Sequence, residues 1–312
     1  MSTLWIVTGI EMLIGALAID ILFGEPRAYL QPSMFVRGVS NYFDRYFRKG
    51  NLVFAGFAFL LFIVVLYSLP VWVVLHFVSP IMVVYVIIGI IVLKSAFSFT
   101  SVREHVKPVI EALEKGSLME ARVYLTRLVR RDTEHLTEAQ IASAAIESIS
   151  KGLIYGFVSP LLYFSVFGLL GAFVAKILNS LDAVIGHRDS RNFEFGRATA
   201  VIHTIVNYIP ARISAFLIMF SSELMNYKVK SIPLSRAAAM PESINTGWTM
   251  GAMATSLNLR LEKVGYYILN PNGFSPTVAD VKRALNVYYI SAYSFLIIFV
   301  VPIMIILYLI SL

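Results

Sequence analysis

Several short stretches of this 312-residue chain gather side chains able to bind anions, hold a cation or move a proton. Asp20-Ile-Leu-Phe-Gly24-Glu25-Pro26 sets two carboxylates at the end of an apolar run. Their oxygens are natural Mg²⁺ ligands, the alternative being solvated acids at a helix end. Arg127-Leu-Val-Arg130-Arg131-Asp132-Thr133 places three cations beside an acid and a hydroxyl. Arginine forks suit phosphate or carboxylate, Thr133 is placed to cap a following helix, and a solvated helix end with local ion pairs would read the same way. Glu147-Ser148 precedes an apolar block, and Asn179-Ser-Leu-Asp182 leads to Gly186-His187-Arg188. Asn207-x-x-Pro210-Ala-Arg212 puts an amide and a guanidinium inside an apolar stretch. Ser243-Ile-Asn245-Thr-Gly247-Trp248 reads as a polar turn opening a small-residue helix from Thr249 to Leu261, a place where an anion can meet backbone N–H groups or where the helix is simply capped.

The elements that must position these residues are apolar. Hydrophobic residues make up 58% of the chain and charged residues 14%, against about 25% charged in an average soluble domain. The mean hydropathy is +0.74. A membrane-spanning helix takes about 20 mostly apolar residues. Leu4 to Phe23 meets that requirement, Leu52 to Leu93 is long enough for two spans broken at Ser68-Leu69-Pro70 or at Ser79-Pro80, and Leu285 to Leu312 is a final span. Leu153 to Leu178 contains Gly156, Pro160, Gly168 and Gly171 and predicts a bent or re-entrant helix. Ala198 to Phe220 carries His203, Asn207, Pro210 and Arg212. The polar connections, residues 24–51, 94–152, 176–197 and 221–284, are all rich in Lys and Arg, so at least one of these last two segments is expected to be re-entrant or half-buried, leaving the loops on one face. Val109, Leu113, Leu118, Ala121, Leu125 and Leu128 recur at helical spacing around Gly116, predicting a helical hairpin outside the bilayer.

The absences narrow the chemistry. The chain has no cysteine, which removes disulfides, thiolate metal sites and cysteine nucleophiles. It has no GxxxxGK[ST], HExxH, GxSxG or GxGxxG motif. The net charge of +7 points to cytoplasmic loops of a membrane protein, and not to nucleic acid, because no basic run interleaved with aromatics occurs. Met1 to Trp5 lacks a basic stretch and Asp20 to Pro26 lacks a small-residue cleavage site, so the first segment is expected to stay as an anchor.

Taken in order, these pieces resemble the membrane-bound adenosylcobinamide-phosphate synthase family of cobalamin biosynthesis, the CbiB/CobD type. The resemblance is carried by Asp20-x-x-x-Gly24-Glu25-Pro26, Arg131-Asp132-Thr133, Ala145-Ile146-Glu147-Ser148 leading to Gly156 and Pro160, and Asn179-x-Leu181-Asp182 with Gly186 and Arg188. It continues through Phe195-Gly196, Asn207-x-x-Pro210-Ala211-Arg212 and Ser243-x-Asn245-x-Gly247-Trp248. It implies an all-α polytopic membrane protein with about four to six membrane-embedded helices and an extramembrane hairpin. Residues 1–312 would form one membrane domain, with 94–152 as a helical insertion and 221–284 as an extramembrane loop region.

The implied reaction is ATP-dependent amide ligation of adenosylcobyric acid with aminopropanol phosphate. Asp132, Glu147 and Asp182 would then be catalytic, and Arg131, Asn179, Arg188, Asn207, Arg212, Ser243 and Asn245 would bind substrate. Asp20 and Asp182 would hold Mg²⁺, with ATP as co-substrate, a corrinoid and the lipid bilayer as partners, and room for a homo-oligomer or further membrane subunits. The chain departs from the family pattern at Ser150-Lys151-Gly152-Leu-Ile-Tyr155-Gly156, at His203-Thr204 and at Gln31-Pro32, mostly where acids are expected. Three readings follow: a divergent synthase, an accessory or corrinoid-binding member without catalysis, and a small-molecule transporter.

Overall fold

The computed structural model describes residues 4–25, 32–186, 192–227, 234–241 and 243–311. The protein is a polytopic, almost entirely helical membrane protein. Among the described residues five helical stretches are long and apolar enough to cross a bilayer: Trp5–Phe23, Leu52–Val78, Met82–Glu114, Glu138–Ile185 and Val278–Ser311. A bent pair, Arg197–Val206 and Tyr208–Leu224, adds a sixth if counted as one broken span. How much of each apolar window turns inward varies, from 17% in Val278–Ser311 and 28% in Leu52–Val78 to 56% in Glu138–Ile185. Side chains such as Phe54, Leu61, Phe77, Ile87, Ile306 and Ile310 face outward, as lipid-facing positions do.

The chain divides into two compact units. The first comprises Met1–Ser98, Ser159–Asn207 and Phe299–Leu312. It contains α1 (Leu4–Phe23), α2 (Pro32–Phe47), α3 (Leu52–Val78), α4 (Met82–Ala96), α8 (Ser159–Ile185), α9 (Arg197–Val206) and α14 (Val301–Ser311). Asn51 starts α3 by accepting the Val53 and Phe54 N–H groups on its side-chain oxygen, at 3.1 and 3.2 Å. Pro70 is accommodated inside α3, and it is Ser79-Pro80 that ends it. α1 and α4 approach through glycines: a Cβ on Gly15 would stand 2.6 Å from Ile90, and one on Gly89 2.6 Å from Met12. The core gathers Phe59, Ile63, Ile177, Leu181 and Phe195.

Two predicted boundaries shift in this unit. Residues 24–51 read as a polar connection, yet α2 lies within them, amphipathic and packed through Val36, Phe43 and Phe47. The helix expected to stop at Leu178 runs on to Ile185, which lifts Asn179 and Asp182 out of the loop and onto one face of α8, three residues apart. The expected bend sits at Gly168, whose φ of 70° and ψ of −159° belong to a region that only glycine occupies readily. Within this apolar surrounding Lys94 and Asp20 form a buried ion pair at 2.5 Å, their side chains 8% and 0% exposed.

The second unit comprises Phe99–Val158 and Tyr208–Ile298. It holds α5 (Ser101–Glu114), α6 (Leu118–Leu125), α7 (Glu138–Gly152), α10 (Tyr208–Leu224), α11 (Leu234–Ala238), α12 (Ile244–Ser256), the strands β1 (Leu261–Lys263) and β2 (Tyr267–Leu269), and α13 (Val278–Phe295). The predicted hairpin is present as α5 and α6, turning at Gly116 with φ +71° and packing Val109, Leu113, Ala121 and Leu125 against Ile141 and Ala144 of α7. α7 opens on a capping box formed by Thr137 and Gln140. The cap is therefore Thr137; Thr133 instead donates its hydroxyl to the Arg122 carbonyl at 3.1 Å. The small-residue helix begins at Ile244, capped by Ser243, and ends at Ser256, because Asn258 takes a positive φ of 52° and the chain turns into β1 at Leu261. Turns of π-helix, Leu153–Val158 and Leu296–Val300, follow α7 and α13.

Both buried features carry measurable consequences. Gly168→Ala forces a side chain into a glycine-only conformation and against the Trp5 ring, 2.9 Å from the added Cβ, and is expected to cost about 1–3 kcal/mol in detergent unfolding experiments. Lys94→Met strands the Asp20 carboxylate and is expected to cost about 3–5 kcal/mol, most of it regained when Asp20→Asn is added; a double variant as unstable as the single one would show that the pair is not the source.

Candidate functional site

One face of α7 is polar over its whole length: Gln140, Ser143, Glu147 and Lys151 succeed one another at intervals of three and four residues. β1 docks along the first half of this stripe. The Ser143 hydroxyl oxygen accepts the Glu262 N–H at 2.8 Å, and the Gln140 amide donates to the Glu262 carboxylate at 3.0 Å. That docking brings Tyr267 from β2 over Glu147, where the phenol donates to Oε2 at 3.0 Å. Arg131, in the connection after α6, reaches the same oxygen at 3.4 Å and the Glu262 carbonyl at 3.4 Å. Ser143 Oγ lies 3.4 Å from the other oxygen of Glu147.

Glu147 is 2% exposed, so its carboxyl group is met by three named protein partners and not by water. Burial, and then the adjacent Glu147 carboxylate, pushes the Tyr267 phenol above its ordinary pKa. Tyr267 therefore stays protonated and remains a donor. Asp132 is exposed and accepts the Glu134 N–H at 2.9 Å, a local turn that points the carboxylate outward.

Cavities adjoin this cluster. One of about 600 Å³ is lined by Arg130, Arg131, Asp132, His135, Gln140, Lys263 and Tyr266 among others. A smaller one of about 190 Å³ is lined by Lys151, Ser243, Thr246, Lys263, Tyr266 and Tyr267 with Met240, Pro241 and Met250. A third, of about 590 Å³, runs along Glu262 to Ile268 with Gln140 and Met240. The hairpin turn, where Gly265 takes φ +78°, contributes Lys263 and Tyr266 to all three. In the same unit Arg212 donates to the Asn245 side chain at 2.8 Å and stacks on the Tyr208 ring at 3.5 Å, with Trp248 at 5.1 Å.

The remaining predicted residues lie in the first unit. Asn207, fully buried, donates to the Asn179 side-chain oxygen at 3.0 Å, and Asp182 lies 3.4 Å from Nδ1 of His203. Asp20 is engaged by Lys94, and Glu25 accepts from Ser98. The first unit thus brings Asn179, Asp182 and Asn207 together, and the second brings Arg131 to Glu147 and Arg212 to Asn245, with Asp132 and Ser243 on cavity walls. Arg188 and His187 lie outside the described residues. As a Mg²⁺ ligand Asp20 does not fit, since a lysine ammonium already neutralises it; among the described residues no three His, Asp or Glu side chains gather as a metal site.

Sequence reasoning missed Tyr267, Glu262 and Lys94. The first two sit in no motif, and only the paired strands β2 and β1 that carry them reveal them. Lys94 had a visible signal, a lone charge within an apolar run, which is retained in a span only when paired or functional.

No solved structure matches this chain. The family described as CobD/Cbib protein matches residues 13–293. A probable cobalamin biosynthesis protein CobD of Thermoplasma volcanium is 48% identical over 298 residues, covering 95% of this chain and 98% of that protein. A protein of the same description from Pyrococcus furiosus is 36% identical, covering 91% and 95%. The cobalamin biosynthesis protein CobD of Dehalococcoides mccartyi is 32% identical, covering 81% and 84%. A chain matched over nearly its whole length by such relatives belongs to the CobD/CbiB family.

Proposed function

We propose that this protein acts in cobalamin biosynthesis as a membrane amide ligase, joining the free carboxylate of adenosylcobyric acid to the amine of aminopropanol phosphate. The observation that carries the reading is the family match over residues 13–293. The cationic cavities beside Glu147 support the chemistry. In such a ligation the terminal phosphoryl group of ATP passes to the carboxylate, the amine nitrogen attacks the activated carbonyl, and phosphate leaves as the amine gives up a proton. Every reactant carries negative charge, so the site must offer cations and a dry wall.

Arg131 is suited to hold a phosphate, because Glu147 and the Glu262 carbonyl fix its fork at the edge of the large cavity. Glu147 accepts from Tyr267 and from Arg131, an arrangement that makes it the anchor of Arg131. Asp132, exposed on the same wall, is placed to take the amine proton. Arg212 with Asn245, and Ser243, would bind carboxylate or phosphate. Asn179 and Asp182, half-buried on one face of α8, would offer hydrogen bonds of the kind that the amide groups of a corrinoid take, with buried Asn207 holding the Asn179 side chain in place. ATP would enter as Mg-ATP, the cation arriving with the phosphates that it neutralises. The richness of the loops in Lys and Arg supports an orientation with the motifs on the cytoplasmic face of the cell membrane.

The test is purified full-length protein supplied with adenosylcobyric acid, aminopropanol phosphate and Mg-ATP, with product read by mass spectrometry and by phosphate release. Asp132→Asn is expected to lower kcat/KM on the order of 10²-fold without moving the unfolding temperature, because the side chain is exposed. Arg131→Lys keeps the charge but loses the fork and is expected to raise KM for an anionic substrate about tenfold. Corrinoid binding with no product would reject the ligase and assign a binding role.

A further inference from the structure

The small cavity of the second unit lies one helical turn beyond the Glu147 cluster and uses residues that cluster does not. Lys151 follows Glu147 by four residues on α7, and Lys263 closes the other side from the end of β1. Among the described residues neither lysine is hydrogen-bonded or ion-paired; Lys263 only lies over the Tyr266 ring, at 4.0 Å. The charges acting on Lys151 are Glu147, Arg131 and Lys263. Glu147 is the one acid among them, and Arg131, Tyr267 and Ser143 already hold it. Glu262, the next acid, is taken by Arg260 at 3.0 Å and by Gln140. Among the described residues three cations thus share one engaged carboxylate, and two of them line a void.

Lys151 is half-buried in a helix whose neighbouring residues Ile149, Ser150 and Leu153 are fully buried, so an ammonium held there without a counter-ion is costly. The N-terminal turn of α12, through Ser243 and Thr246, lines the same void and adds its positive end. Opposite the cations, Met240, Pro241 and Met250 give a short apolar wall. At about 190 Å³ the space falls below the roughly 300 Å³ where pockets for drug-sized ligands begin, a size that suits a small ligand better than a nucleotide or a corrin ring.

We propose that this cavity binds the phosphate monoester of a small phosphorylated amine, with Lys151 and Lys263 clamping the phosphate and the methionine wall receiving the short carbon chain. The identity of the amine rests on the ligase reading above. The phosphate site itself does not.

Calorimetry on the full-length protein in detergent, without corrinoid, tests it with four probes: aminopropanol phosphate, unphosphorylated aminopropanol, inorganic phosphate and a non-hydrolysable ATP analogue. Aminopropanol phosphate is expected to bind, inorganic phosphate to compete with it, and aminopropanol not to bind. Lys151→Met and Lys263→Met are each expected to weaken binding on the order of tenfold, and Lys151→Arg to retain most of it. Should Lys151→Met fail to fold, Lys263→Met on the hairpin decides alone. Unchanged affinity in the lysine variants overturns the proposal, and so does a site that the ATP analogue fills while aminopropanol phosphate does not. The two readings fail differently. Phosphate binding lost in Lys151→Met while no substrate set gives product keeps the cavity and rejects the ligase. Product formation with an unchanged KM for aminopropanol phosphate in a folded Lys151→Met/Lys263→Met variant rejects the cavity and keeps the ligase.

Discussion

A carboxylate withdrawn from water must be matched group for group, and Glu147 is where that constraint organises the second unit. Its partners come from three separate places: Arg131 from the connection after α6, Tyr267 from β2, and Ser143 from the preceding turn of its own helix. A two-stranded hairpin is marginal alone. Here its first strand is fastened to α7 by Ser143 and Gln140, and its second is tied to the buried acid through Tyr267. Satisfying one charge thereby sets the position of the cavity walls.

The first unit answers the same constraint differently. Asp20 and Lys94 form a direct ion pair, with Lys176 close enough to Lys94 and Glu25 to feel their charges, while Asn207 and Asn179 use amide-to-amide contact. Water cannot screen groups at this depth, so the pairings are obligatory to the fold whatever else they do. Glycines at positions 15 and 89 let the helices carrying Asp20 and Lys94 come close enough to pair.

The membrane helices were legible because hydropathy over 20 residues is a strong signal, and α1 runs from Leu4 to Phe23 as the composition alone suggests. The choice between Pro70 and Pro80 as the breaker was not, because a proline in a long apolar helix can be absorbed when neighbours satisfy the freed carbonyl. Arg131, Glu147, Arg212 and Asn245 could be picked out by type, since charge and amide groups stand out in such a chain. Their pairing could not, because it depends on which faces of α7, α10 and α12 turn inward. Tyr267 was invisible for a plainer reason: a tyrosine beside another tyrosine in a polar stretch looks like ordinary surface until the short strand that carries it is known. The corrected boundary of α8 shows the opposite error, in which polar residues at the end of an apolar run were read as leaving the helix when they line its face.

The turn from Lys263 to Tyr266 is a wall common to three cavities. A guest that draws the turn toward itself would alter the affinity of the others by the same factor that they alter its own. Four residues of a β-turn would then carry the coupling between the compartments, whichever reactant arrives first.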